Sequence, residues 1–131
     1  MQAFLVDMEN KPGELARVAE ALGAKGVNIL GGAGTACGDG GRVALTVADE
    51  EAARTALRDA NCKFTEIEIV QAALRNEPGS LGRAARRLAD AGVNIEAIMP
   101  TGMQGNDVTV AFATDNPATA RQVIETAGKV V

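Results

Sequence analysis

The sequence predicts an α+β protein made of two units in tandem, each with the element order βαββαβ. One observation is a duplication: Asn10–Ile29 recurs as Asn76–Ile95, with eleven identities in twenty positions at a constant offset of 66. Two unrelated segments of this length share about one or two identical residues. Apolar residues also recur with the strand period and the helix period in the same order in both halves. We therefore place the units at 1–66 and 67–131, and we expect such small units to pack together because each buries little core.

The elements of the first unit follow from its apolar spacing and its turn residues. An alternating strand ends at an Asn-Lys-Pro-Gly turn, and Gly26 stands where the next helix needs a left-handed C-terminal cap. The apolar stripe of this helix is Leu15, Val18, Ala19 and Leu22. The predicted segments are a strand at Ala3–Glu9, a helix from Pro12 or Gly13 to Lys25, a strand in the first half of Leu30–Gly41, a hairpin turn at Cys37–Gly41, a strand at Val43–Val47, a helix capped by Asp49 and a strand at Lys63–Glu66.

The second unit repeats this plan without a linker. Its first helix carries an apolar stripe of Leu81, Ala84, Ala85 and Leu88. The predicted segments are a strand at Glu68–Arg75, a helix ending at Gly92, strands near Asn94–Thr101 and Asp107–Thr114, a helix capped by Asp115 with Pro117 in its first turn, and a strand at Lys129–Val131. Each unit is thus a ferredoxin-like split βαβ arrangement, an antiparallel sheet with two helices on one face.

The third strands of the two units differ in the phase of their larger apolar residues. These residues are Val43, Leu45 and Val47 in the first unit and Val108, Val110 and Phe112 in the second. At the offset of 66, the second set aligns with Arg42, Ala44 and Thr46, which is the opposite phase. Helices cover only one face, so apolar residues are expected on the uncovered face, as is typical of a partner interface. The sequence therefore predicts a homodimer packed through that face.

Composition narrows the partners and the chemistry. The net charge is −4 with both signs interspersed, whereas nucleic-acid binders usually carry a basic patch. There is no long apolar run and no signal-peptide pattern, so we expect a cytoplasmic protein with neither a nucleic-acid nor a membrane partner. The chain has no histidine, and we expect no catalysis, metal or cofactor. Cys37 and Cys62 are expected to be reduced and structural, with a disulfide or a reactive thiol as alternatives.

The turn before the first helix of each unit suits a small ligand. Gly13 and Gly79 allow the backbone to approach a ligand closely, and the helix N-terminus beyond them favours a carboxylate or phosphate. Asn10 and Asn76 add amide donors and acceptors at the rim. The alternative is that these residues only form a tight turn, because any such connection selects them.

Two further patterns each have a structural interpretation and a functional one. The glycine run from Gly31 to Gly41 lacks the ending of a phosphate loop and leads into a strand, which favours a strand and hairpin. Arg83, Arg86 and Arg87 cluster on one helix, where a solvated face is the first interpretation and an acidic partner the second.

The motif Asn-x-Pro-Gly-x-Leu, then an amphipathic helix, then Gly-Val-Asn-Ile, closely resembles the ACT domain family, and it occurs twice. The resemblance covers essentially the whole chain. It implies two ligand-sensing units that pair side by side into an eight-stranded sheet, with an amino acid at their interface. In that arrangement the strand-to-helix loop of one unit and the second strand of the other contact the ligand.

Carried over residue by residue, the resemblance implies twelve ligand-binding residues. They are Asn10, Pro12, Gly13, Leu15, Asn28 and Ile29 in the first unit, and Asn76, Pro78, Gly79, Leu81, Asn94 and Ile95 in the second. The second strands differ in sequence, so we expect the two sites to differ in affinity. The leading hypothesis is a non-catalytic regulatory protein that binds an amino acid. The alternatives are a ligand-free association module, a regulatory subunit of an amino-acid biosynthetic enzyme, and a small enzyme.

Overall fold

The computed structural model describes residues 1–124, which contain six strands and four helices. They are β1 (Gln2–Glu9), α1 (Glu14–Ala24), β2 (Ile29–Cys37), β3 (Gly40–Val47), α2 (Glu50–Asp59), β4 (Lys63–Arg75), α3 (Ser80–Asp90), β5 (Ile95–Gln104), β6 (Asp107–Thr114) and α4 (Pro117–Ile124). The chain divides into a first unit, Gln2–Ile67, and a second unit that begins at Glu68. The predicted strand at Lys129–Val131 lies outside the described residues. None of the helices in residues 1–124 is long and apolar enough to span a membrane.

The first unit is a sheet with two helices packed on one face. Its strand order is β2-β3-β1-β4, and β3 pairs antiparallel with both β1 and β2. Phe4 lies opposite Leu45 in this register, and both side chains point into the core. The helices contribute Leu22 from α1 and Leu57 from α2, which are fully buried there. Burying one such leucine contributes about 2 kcal/mol, so this apolar face determines which side the helices cover.

The second unit has the same arrangement. Here β6 pairs antiparallel with both β4 and β5, and Val70 lies opposite Phe112. Leu88 of α3 and Ile124 of α4 pack with these two residues in a core of their own. The tandem βαββαβ prediction is thereby confirmed for the elements that the structure describes, whereas the eight-stranded sheet stays a prediction.

Three details differ from the sequence prediction. The strands predicted at Lys63–Glu66 and Glu68–Arg75 are one strand, β4, since no turn residue interrupts them. The residue that caps α4 is Asn116 rather than Asp115. The Asn116 side chain accepts a hydrogen bond from the N–H of Thr119 at 3.1 Å, and the carboxylate of Asp115 instead accepts one from the N–H of Asn94 at 2.9 Å.

The predicted difference in phase between the third strands is wrong. Thr101 is an extra residue in a bulge of β5, between Pro100 and Gly102, and the first unit has no bulge at the matching place. Up to Pro100 the units correspond at an offset of 66, and beyond Thr101 they correspond at 67. A single inserted residue reverses the alternation of every residue that follows it.

With the corrected offset, Phe112 matches Leu45 and Val110 matches Val43. All four side chains lie in the cores beneath the helices. The large apolar residues therefore do not face away from the helices, and the homodimer prediction loses the observation on which it depended.

Candidate functional site

Each unit contains a pocket between the turn before its first helix and the hairpin formed by its second and third strands. The first pocket has a volume of about 320 Å³ and is lined by residues 8–11, 14–15, 34–36 and 41–43. The second has a volume of about 310 Å³ and lies at the matching place, with residues 74–77 and 80–81 on one side and β5 and β6 on the other. The duplication has thus produced two cavities of nearly equal size, each within the range of small-molecule sites.

Glycine in the turn is required by backbone conformation. Gly13 and Gly79 precede α1 and α3 directly, and both have φ of 90°, in the left-handed region. A side chain there costs about 1–2 kcal/mol because its Cβ crowds the carbonyl oxygen. The same conformation leaves both helices without a side-chain cap.

The other two helices are capped. Asp49 accepts a hydrogen bond from the N–H of Ala52 at 3.0 Å at the start of α2, and Asn116 does the same for α4. The uncapped N-termini of α1 and α3 are therefore the ones that lie beside the pockets. Unpaired N–H groups and the positive end of the helix dipole favour an anion beside such a terminus.

The asparagines at the rim tie each turn to a hairpin. In the first unit the N–H of Asn10 donates to the carbonyl oxygen of Asp39 at 2.8 Å, and its side-chain amide donates to that of Gly38 at 3.0 Å. In the second unit the N–H of Asn76 donates to Asn106 at 3.0 Å. Gly38 adopts a positive φ of 61° to turn the hairpin. These contacts hold the pocket's two sides together, so the asparagines have a structural part whether or not a ligand binds.

Charged side chains surround the first pocket. The ammonium of Lys11 lies 2.7 Å from the carboxylate of Glu9, and Nε of Arg17 lies 3.2 Å from Glu14. The hydrogen bond from Arg17 lowers the pKa of Glu14, and the one to Glu9 raises the pKa of Lys11. The lowered pKa of Glu14 and the raised pKa of Lys11 keep both groups ionised near neutral pH. The pocket presents both signs of charge, as a zwitterionic ligand requires.

The hairpin side of the first pocket is formed by glycine. A Cβ on Gly34 would lie 3.0 Å from the carbonyl oxygen of Arg42, and one on Gly41 would lie 3.0 Å from that of Thr35. Neither contact is with a side chain that can move aside. The close approach of β2 and β3 therefore favours glycine, and glycine exposes backbone to the pocket.

The second pocket is lined by apolar side chains at the matching positions. Pro100 replaces Gly34, and Val108 replaces Gly41. Ile98 and Leu81 also line it, with 40% and 50% of their surfaces exposed. Two of the polar groups nearby, Glu77 and Ser80, are already paired, because Arg83 donates to Glu77 at 2.9 Å and to Ser80 at 3.0 Å.

Four of the twelve predicted residues line these pockets: Asn10 and Leu15 in the first, Asn76 and Leu81 in the second. Leu15 and Leu81 were also predicted in the buried stripes of their helices, and this is wrong, since Leu15 is 57% exposed. Each stands in the first turn, beyond the edge of the core, where the side chain reaches the pocket rather than the sheet.

The asparagines that precede the second strands lie away from the pockets within their own units. The carbonyl oxygen of Asn28 accepts a hydrogen bond from the N–H of Ala48 at 3.0 Å, and that of Asn94 accepts one from Asp115. Both positions are exposed. Prediction from sequence missed Lys11, Glu14 and the residues of the hairpins, because only the strand pairing brings the hairpins to the turn.

Within residues 1–124, no group of three or more cysteine and acidic side chains is close enough to hold a metal ion. Cys37 is exposed and Cys62 is buried, and both are free thiols.

The profile of a family described as an ACT domain pair matches residues 1–129. Three solved structures share the fold. A Bacteroides thetaiotaomicron protein is 24% identical, with a TM-score of 0.83 over 97% of this chain and 88% of that one. The regulatory subunit of aspartate kinase from Thermus thermophilus is 20% identical, with a TM-score of 0.67 over 98% and 91%. The corresponding subunit from Thermus flavus is 17% identical, with a TM-score of 0.62 over 98% and 92%. No curated protein matches this chain.

Proposed function

Because the chain belongs to the ACT domain pair family, we propose that it is a non-catalytic regulatory protein that binds an amino acid. The observation that carries the proposal is the coincidence, in both units, of an uncapped helix N-terminus with a pocket of 310–320 Å³. Two structures of the same fold are described as regulatory subunits of aspartate kinase, which supports a regulatory role.

The groups at the first pocket have complementary parts in binding. The N-terminus of α1 receives the ligand carboxylate through backbone N–H groups and the helix dipole. Glu9 and Glu14 lie on the same rim and attract the ligand ammonium, while Asn10 holds the turn in place. Such a site binds without any bond being made or broken.

The family resemblance adds a second set of contacts to this proposal. We propose that the second strand of each unit completes the ligand site of the other, which would bring in Asn28 and Ile29, with Asn94 and Ile95 as their counterparts. On this proposal, binding alters the association of the two units, and a change in association is what a regulated enzyme partner would detect.

A screen of amino acids by thermal unfolding tests the proposal. A ligand that binds only the native protein at one hundred times its Kd stabilises it by about 2.7 kcal/mol. The chain has no tryptophan or tyrosine, so the screen needs an external dye or calorimetry. We expect at least one amino acid to raise the unfolding temperature, and a flat response at millimolar concentrations would overturn the proposal.

A second candidate function is association without a ligand, as a regulatory subunit or a homodimer. The exposure of Leu15 and Leu81 favours it, since large apolar side chains at the same place in both units are typical of contact surfaces. Molar mass measured by light scattering over a range of concentrations tests the homodimer. A monomer at every concentration would remove it.

A further inference from the structure

We propose that the second pocket is an apolar specificity site, which binds the side chain of an amino acid such as leucine, isoleucine or methionine. The proposal rests on the proposed function, and it adds a ligand class and a location. The two pockets have nearly the same volume, so their difference is one of lining rather than size.

The lining of the second pocket is built by the hairpin. Ile98, Pro100 and Val108 stand where the first unit has Gly32, Gly34 and Gly41. In the first unit the closeness of β2 and β3 disfavours side chains at the last two of these positions, because an added Cβ would lie 3.0 Å from a backbone oxygen.

In the second unit a bulge at Thr101 directly follows Ile98 and Pro100 along β5. The extra residue separates Pro100 from Gly102 in the pairing with β6, and bulges bend a strand and redirect its side chains. The unit that has the inserted residue is therefore also the unit in which a wall of side chains, Ile98, Pro100 and Val108, lines the pocket. We regard Thr101 as the residue that positions this wall.

Exposure and polarity both point to an apolar occupant. Ile98 and Leu81 leave 40% and 50% of their surfaces uncovered, although they line a concave site. Covering them with an apolar ligand removes that surface from water. On the hairpin side of the pocket, which Ile98, Pro100 and Val108 form, a polar ligand side chain would find no polar side chain to pair with. On the opposite side, Glu77 and Ser80 are engaged by Arg83. Burying such a group unpaired is unfavourable, so the pocket discriminates against it.

Calorimetry on the full chain tests the proposal, with leucine, isoleucine and methionine compared with serine, aspartate and lysine. We expect the apolar group to bind more tightly. Ile98→Ser and Leu81→Ala should each weaken leucine binding roughly tenfold, which corresponds to about 1.4 kcal/mol. Met103→Ser is the matched control, because Met103 lies on the same strand and is 66% exposed but does not line the pocket. It should leave leucine affinity within about twofold.

The outcomes separate this inference from the function beneath it. If only polar amino acids bind, or if Met103→Ser weakens leucine binding as much as Ile98→Ser does, the apolar site is wrong and the proposed function survives. If Ile98→Ser alters the molar mass and not ligand binding, this surface is a contact between copies of the chain and the inference falls. Absence of binding by any amino acid would overturn both.

Discussion

The two units have the same framework and different pockets. Both place a left-handed glycine before an uncapped helix, and both tie the turn to a hairpin through an asparagine N–H. The first pocket has glycine backbone and charged side chains, whereas the second has isoleucine, proline and valine at the matching places. The contrast shows that the backbone conformation at the helix terminus was retained through the duplication while the hairpin diverged. Conformation and chemistry at this site are therefore separable, and each can be tested by substitution.

The largest expected effect concerns the corrected register. Phe112→Ala should lower the free energy of unfolding by about 3–5 kcal/mol, because the fully buried ring packs beneath the helices as Leu45 does in the first unit. Leu45→Ala should cost about 2–5 kcal/mol. Urea unfolding measures both. Thr109→Ala, on the opposite face of β6, is the control and should cost less than about 1 kcal/mol. If Phe112→Ala also lowered the free energy of unfolding by less than about 1 kcal/mol, Phe112 would not lie in the core, and the offset of 66 would apply to the third strands.

The order of elements was predictable because it depends on local periodicity. The motif from Asn10 to Ile29, repeated at Asn76, places the strand, turn and helix of each unit without any knowledge of pairing. The register of the third strands was not predictable in the same way. Thr101 looks like any strand residue, and only its unpaired position opposite β6 reveals the insertion. When one offset between the two units is assumed across an insertion, every residue after the insertion is assigned to the wrong face of the sheet.

The residues of the candidate site likewise divide into those that the local sequence places and those that only strand pairing places. Asn10 and Leu15 were found because they belong to the local turn and the first helical turn. Lys11 lies in that turn too, but its type differs from Glu77 in the second copy, so identity between the copies did not single it out. Ile98 and Val108 reach the second pocket only through the folding of a hairpin. Contacts between distant segments of chain require a structure.

The conformation shared by the two units is tested by replacing its glycines. Gly13→Ala and Gly79→Ala should each lower stability by about 1–2 kcal/mol, since φ is 90° at both positions and a Cβ there is strained. Gly82→Ala is the control, because its added Cβ meets nothing within 4 Å inside a helix, and it should raise stability by about 0.5–1 kcal/mol. Thermal unfolding measures all three. If Gly13→Ala unfolds at the temperature of the unaltered protein, the turn does not depend on glycine.

A polar group in the second core distinguishes it from the first. Thr114 occupies the place of Val47, and its buried hydroxyl finds no hydrogen-bond partner within residues 1–124. Thr114→Val should therefore raise the free energy of unfolding by about 1 kcal/mol, because it removes an unsatisfied group at nearly constant shape. Thr46→Val is the matched control, since the hydroxyl of Thr46 donates to the carbonyl oxygen of Gly31 at 3.5 Å. It should show no gain, and an equal gain in both variants would contradict the argument.

The smallest expected effect compares the ion pairs of the second helix in each unit. Arg54 donates through Nε to Glu66 at 2.8 Å, and this hydrogen bond lowers the pKa of Glu66. The corresponding Arg121 lowers the pKa of Glu68 through a more exposed contact. A lowered carboxyl pKa stabilises the folded protein at pH values above the ordinary pKa of glutamate. This stabilisation is lost as the pH falls through the lowered pKa.

Glu66→Gln should therefore cost about 0.5–1 kcal/mol at neutral pH, and the difference from the unaltered protein should shrink in acid as Glu66 becomes protonated. Glu68→Gln should show the same trend with a smaller amplitude, because its pair is better solvated and more strongly screened. Urea unfolding at a series of pH values measures both differences. A Glu66→Gln difference that grows as the pH falls would show that the pair destabilises the folded state. A larger effect at Glu68 would mean that solvent exposure does not determine which of the two ion pairs contributes more to stability.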